Sequence, residues 1–220
     1  MDEARFAERL SEGCQALGVG VGPEVPERLR RLMGELRKWN AKVNLTAITA
    51  EDEVVEKHFL DSLAVLPEVE GAASLLDVGA GAGFPGLPLK LARPALAVTL
   101  VDAVGKKVSY LKAVIATPGL GLTGTRAVHT RAEGHPDAEG LPRCERVLAR
   151  AFMDLPDWLD LAPAYLAPGG RVVAMLGKAV DEAQLRAQAG TRGLALVSAR
   201  AYRLPFSGAE RQVVAFTRAS

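Results

Sequence analysis

Leu75-Leu76-Asp77-Val78-Gly79-Ala80-Gly81-Ala82-Gly83-Phe84-Pro85-Gly86 is the stretch on which the reading of the fold turns. Leu75, Leu76 and Val78 make a short buried strand that runs into glycines, which let the backbone turn tightly and come close to a ligand. Pro85 follows where a helix can begin. Strand, glycine turn and helix in that order form the first unit of an open α/β sheet, whose ligands lie at the carboxyl ends of the strands.

Downstream of this unit, short apolar runs at 97–101, 125–129, 146–149 and 171–176 alternate with helical patterns at 85–92, 105–117, 154–167 and 181–189. That rhythm predicts a mostly parallel twisted sheet with helices on both faces. The runs at 194–199 and 212–217 read as a closing antiparallel pair. Upstream, Phe6, Leu10 and Leu17, then Leu29, Leu32, Met33 and Leu36, recur at helical spacing and predict helices over 2–17 and 26–39, parted by Gly18 to Pro23. Trp39-Asn40 reads as a polar turn, and Thr49 as the cap of a third helix over 51–66 with acids in its first turn. The expectation is one α/β domain over 1–220, with a helical layer over 1–70 and the sheet-bearing core over 71–220.

Composition bounds the function. The chain has 220 residues, 49% hydrophobic and 24% charged, the profile of an ordinary globular protein. Cys14 and Cys144 stand far apart and in no metal-binding spacing, so neither a disulfide framework nor a zinc site is expected, and no metal at all. A reducing, cytoplasmic setting fits, because neither an export signal nor a membrane-spanning apolar run is seen. With 27 basic against 26 acidic residues, nucleic-acid binding has to come from local patches. Arg28, Arg30, Arg31, Arg37, Lys38 and Lys42 form such a patch against Glu35 alone; a solvated helix face is the other reading.

Two cofactors suit the glycine loop. Gly81-Ala-Gly83-Phe-Pro-Gly86 satisfies the dinucleotide fingerprint, and Asp102 ends the next strand where a ribose-binding acid belongs. Asp77 tips the balance. Two residues before the first glycine, its charge would repel a pyrophosphate but suit the ammonium and sulfonium of S-adenosylmethionine. Asp102 serves either cofactor, and the bland alternative for Asp77 is a cap on the turn.

The acceptor is narrowed by elimination. Amino-group methyltransferases place Asn/Asp-Pro-Pro-aromatic after the fourth strand, where this chain has Leu148-Ala149-Arg150-Ala151-Phe152. Methylation of pyrimidine C5 needs a thiolate, whereas Cys144 begins a strand and reads as packed. A ring nitrogen with a free lone pair, such as guanine N7, needs only alignment and desolvation. His58, sharing a helical face with Asp61 and Ser62, is expected to make a structural hydrogen bond. His129 and His135 are assigned no function.

Trp39-Asn40-x-x-Val43-Asn44-Leu45-Thr46, His58-x-x-Asp61-Ser62-Leu63, the glycine loop, Val101-Asp102-Ala-x-Gly105-Lys106-Lys107, Arg131-Ala132-Glu133, Ala149-Arg150-Ala151-Phe152, Leu204-Pro205 and Glu210-Arg211 together resemble the glucose-inhibited division protein B (RsmG) family over about residues 35 to 217. The resemblance implies a Rossmann-like class I methyltransferase core. It also implies transfer of a methyl group from S-adenosylmethionine to N7 of a guanine in the decoding-centre loop of 16S ribosomal RNA. Gly79, Phe84, Ala132, Glu133 and Arg150 correspond to the family's cofactor contacts; Asp77, Gly81, Gly83 and Asp102 join them from the loop and its electrostatics.

The family's Lys-Gly after the fifth strand is replaced here by Leu176-Gly177-Lys178. Candidate RNA contacts are therefore Lys106, Lys107 and Lys178 with Arg28, Arg31, Arg37, Lys38 and Lys42, acting on phosphates. 16S rRNA, alone or within the small subunit, is the expected partner, and a monomer is favoured. The competing readings are an NAD-dependent oxidoreductase on the same glycines and a non-catalytic RNA-binding assembly factor.

Overall fold

The computed structural model describes residues 1–219. Seven strands form one sheet in the order β3-β2-β1-β4-β5-β7-β6. These are β1 Ser74–Val78, β2 Ala97–Asp102, β3 Thr125–His129, β4 Cys144–Arg150, β5 Leu166–Leu176, β6 Leu194–Arg203 and β7 Glu210–Arg218. The first five run parallel, and β7 lies antiparallel between β5 and β6. The chain order reverses between β1 and β4, which opens a crevice at their carboxyl ends.

Side chains alternate across the sheet, and each set has its own helical cover. Leu75, Leu100, Leu148, Val173 and Val213 share one buried cluster with Phe6, Leu10, Leu29, Leu32, Phe59, Leu87 and Leu111. Leu76, Val101, Val147, Val172 and Val214 share the other with Trp158, Leu159, Leu185 and Ala189. Helices thus cover both faces, as the βαβ rhythm predicts. Since the first cluster runs without a break from the N-terminal helices into the sheet, helical layer and core are joined by apolar burial. Among the described residues no helix is long and apolar enough to cross a membrane.

Three expectations need correction. Helix α2 spans Val25–Val43, following α1 at Glu3–Leu17, and passes straight through Trp39-Asn40. Trp39 packs edge-on against Tyr110, and the Asn40 side chain accepts from the N–H groups of Leu45 and Thr46, so the turn that Asn40 organises comes after the helix. Ala50, not Thr49, precedes the third helix, which runs from α3 Glu51–Val54 through a π-helical stretch Val55–Leu60 into α4 Asp61–Leu63 and stops there, the short α5 Leu66–Val69 following after a turn. The helix predicted over 154–167 divides into α9 Leu155–Leu161 and a 3₁₀ turn Ala162–Tyr165. Pro163 has no N–H to continue the α ladder, and β5 has already begun at Leu166. The remaining helices are α6 Gly86–Ala92, α7 Gly105–Ile115, α8 Pro136–Glu139, which the periodicity does not reveal, and α10 Glu182–Gly190.

Candidate active site

Two cavities open at the carboxyl ends of the parallel strands and meet at Gly79 and Ala151. The larger, of about 660 Å³, is bordered by Asp102, Val104, Lys107, Ala132, Glu133 and Phe152. The smaller, of about 450 Å³, is bordered by Thr46, His58, Asp61, Gly81, Phe84, Arg150 and Arg211. Both volumes fall in the range of small-ligand sites.

The glycine loop between them is held from below. Gly79, Gly81 and Gly83 have φ of 71, 57 and 88°, a region that costs a residue with a Cβ. A Cβ on Gly79 would collide with the Phe152 ring, and one on Gly83 with Leu87, so Gly83 serves packing beneath the cavity rather than contact with a ligand. Asp102 accepts from Gly81 N–H at 2.9 Å through one carboxylate oxygen and from Val104 N–H at 2.8 Å through the other. Each oxygen has a lone pair to spare, and Asp102 borders the larger cavity, an arrangement that suits ribose hydroxyls.

Asp77 is placed otherwise than its charge suggests. It is fully buried, borders neither cavity, and accepts from Gly86 N–H at 2.8 Å, while its second oxygen has no partner. The geometry is that of a cap on the glycine turn, the bland alternative. Burial pushes its carboxyl up to about 7, against the pull of the Gly86 N–H and of Arg150. Electrostatic selection of a cationic ligand by direct contact with Asp77 therefore does not hold, and the case for the cofactor passes to Asp102, the bare loop backbone and Arg150.

Ala132 and Glu133 follow β3 on the rim of the larger cavity, as expected. The Glu133 N–H donates to Glu139 at 2.8 Å, and Tyr165 donates its hydroxyl to the same carboxylate at 2.6 Å, so α8 fixes this loop. Sequence periodicity gives no hint of that support.

In the smaller cavity, charge is concentrated around Asp61. Its carboxylate accepts from the Tyr202 hydroxyl at 2.7 Å and from Arg150 at 3.4 Å, and Arg211 stands 3.6 Å away. Arg150 also donates to the Lys57 carbonyl at 3.0 Å, and its guanidinium lies over the Phe84 ring at 5.6 Å. His58 stacks flat on Phe84, with 4.5 Å between centroids. Its ring is bonded to Thr46 Oγ1 at 2.9 Å, a structural bond of the kind expected. Desolvation, then the neighbouring Arg150, pull its pKa down to about 3, so the imidazole stays neutral. Thr46, Asp61, Phe152 and Arg211 thus belong to the site although reasoning from single residues gave them no role. Their signal is present in the family motifs that contain them. Tyr202, outside those motifs, carries no such signal.

The basic patch on α2 is turned largely to structural use. Arg31 donates to the carbonyls of Pro118 at 2.8 Å and Gly119 at 2.9 Å, and Arg28 lies against Gly121 and near Glu24. Arg37 pairs with Glu51, and Lys38 with Glu35 at 2.6 Å. Arg28, Arg31, Arg37 and Lys38 border neither cavity. Lys42, Lys106 and Lys178 are exposed, and Lys107 sits on the rim of the larger cavity. Cys144 is buried at the start of β4, away from both cavities, as expected of a packed cysteine. Among the described residues no group of His, Cys, Asp and Glu is arranged to hold a metal ion.

Residues 26–214 match the model of the family described as GidB, rRNA small subunit methyltransferase G. The chain is 70% identical over 218 residues to a ribosomal RNA small subunit methyltransferase G of Myxococcus xanthus, covering 99% of this chain and 100% of that one. It is 49% identical to the protein of that name from Anaeromyxobacter dehalogenans, over 98% and 99% of the two chains. A SAM-dependent methyltransferase of Aquifex aeolicus has the same fold with a TM-score of 0.56 at 16% identity, over 84% of this chain and 97% of that one. A 16S rRNA (adenine(1408)-N(1))-methyltransferase of Catenulisporales acidiphilia superposes with a TM-score of 0.55, also at 16% identity, over 70% and 90% of the two chains.

Proposed function

The chain belongs to the GidB family, rRNA small subunit methyltransferase G, and on that premise we propose that it transfers the methyl group of S-adenosylmethionine to N7 of a guanine in 16S rRNA. It is a methyltransferase by family, which removes both the oxidoreductase reading of the glycines and the non-catalytic assembly factor.

S-adenosylmethionine, when bound, supplies a methyl group on an electron-poor sulfur. The residues of the larger cavity fit its nucleoside: Asp102 offers lone pairs to ribose hydroxyls, and Ala132 and Glu133 border the space beyond. Gly79 and Gly81 allow close approach where the cavities meet, and Arg150, anchored on Asp61 and the Lys57 carbonyl, presents positive charge to a carboxylate or phosphate in the smaller one.

The acceptor nitrogen rests on one observation above all. The imidazole and the carboxylate that border the smaller cavity are both engaged: His58 between Thr46 and Arg150, Asp61 beneath Tyr202 and Arg150. A site so arranged suits a nucleophile that brings its own lone pair and loses no proton before attack. Guanine N7 is such an atom, and in a loop it is accessible to a protein side chain. Reductive aniline cleavage of 16S rRNA from cells with and without the gene tests this. Strand scission at one guanine is expected only when the gene is present, and identical patterns would refute it.

A further inference from the structure

We propose that the Thr46 hydroxyl reads the base in the smaller cavity by donating a hydrogen bond to the O6 carbonyl of guanine, an inference that rests on the function proposed above. Arg150 Nη2 lies 3.4 Å from His58 Nδ1. A guanidinium can only donate, and the Lys57 carbonyl, the other acceptor near this ring, is already held by Arg150 Nη1 at 3.0 Å, which assigns Nδ1 as the bare, accepting nitrogen. The ring is neutral, hence its one proton is on Nε2, which donates to Thr46 Oγ1 at 2.9 Å. The Ile48 N–H donates to the same oxygen at 3.1 Å.

Both lone pairs of the Thr46 oxygen are thereby filled, and its own proton is left to seek an acceptor. Among the described residues none takes it. The hydroxyl is also held in place: Thr46 N–H donates to Asn40 Oδ1 at 2.9 Å, and Thr46 carbonyl accepts from Asn40 Nδ2 at 3.1 Å. Arg150 thus fixes the tautomer of His58, which fixes Thr46 as a donor on the cavity wall.

A neutral donor suits a neutral carbonyl. Anionic groups entering this cavity find Lys57, Arg150 and Arg211 on its border. On guanine, O6 lies beside N7 on the same edge, so a donor that holds O6 brings N7 into register while leaving its lone pair untouched. Adenine presents an amino group at that place and would set donor against donor.

The test uses 30S particles reconstituted on 16S rRNA joined by splinted ligation, with guanine, inosine or 2-aminopurine at the accepting position. Inosine keeps O6 and N7, whereas 2-aminopurine keeps N7 and lacks O6. The wild-type enzyme is expected to methylate guanine and inosine about tenfold or more faster than 2-aminopurine, as for loss of one buried hydrogen bond. Thr46→Val should bring that ratio close to one with an unchanged S-adenosylmethionine Kd by calorimetry, and Thr46→Ser should keep the preference. A ratio that survives in Thr46→Val overturns the inference. So does a tenfold loss of cofactor affinity with the ratio intact, which would assign the hydroxyl to the cofactor's carboxylate. Failure of the wild-type enzyme to label any guanine would instead strike the proposed function itself.

Discussion

Two buried groups near the loop pull in opposite directions as pH changes. Asp77, with its carboxyl raised from 3.8 to about 7, folds most favourably when protonated; its contribution is complete below about pH 4 and is lost as pH rises through 7. His58, lowered from 6.5 to about 3, folds most favourably when neutral, and its contribution is lost as pH falls from 6.5 towards 3. Urea denaturation of Asp77→Asn at a series of pH values should therefore uncover the slope due to His58. The stability difference between variant and wild type should change by about 2–4 kcal/mol between pH 4 and 8. At Gly79, alanine meets both a φ of 71° and the Phe152 ring. Gly79→Ala should lower stability by about 1–2 kcal/mol and weaken S-adenosylmethionine binding by calorimetry at least about tenfold. The glycines were legible in the sequence because only their backbone freedom makes such a turn. The direction of the Asp77 side chain was not, since one carboxylate serves equally well to cap a turn or to face a ligand, and the sequence does not say which N–H is nearest.

At the scale of elements, every strand was legible from its apolar run and its flanking turn residues, and the errors lie in helices. The π-helical stretch Val55–Leu60 leaves no trace in periodicity, yet it carries Lys57 and His58 to the smaller cavity immediately before Asp61. A widened turn of this kind often accompanies a functional site. Helix α2 shows the converse: its basic residues suggested RNA, whereas carbonyls and carboxylates from elsewhere in the fold claim Arg30, Arg31 and Arg37. Arg31→Ala should thus loosen the Pro118–Gly119 loop, visible as faster amide exchange there, and leave the salt dependence of RNA binding unchanged. Lys178→Ala, at an exposed position after β5, should leave stability within about 0.5 kcal/mol and reduce the slope of log K against log salt by about 1.

For the whole molecule, the unbroken core between N-terminal helices and sheet predicts one cooperative transition. Trp39 on α2 and Trp158 on α9 report on opposite faces of the sheet. Single-tryptophan variants should give coincident urea curves, and separated midpoints would mean that the helical layer unfolds on its own. The sheet order has a consequence for biosynthesis as well. Because β7 is slotted between β5 and β6, and brings with it Arg211 beside Asp61, a nascent chain lacks part of the wall of the smaller cavity until β7 has left the exit tunnel. A frameshift or premature stop beyond β6 would yield a polypeptide with an intact glycine turn and an unfinished edge, fit for quality-control proteases rather than for modification of its own ribosome.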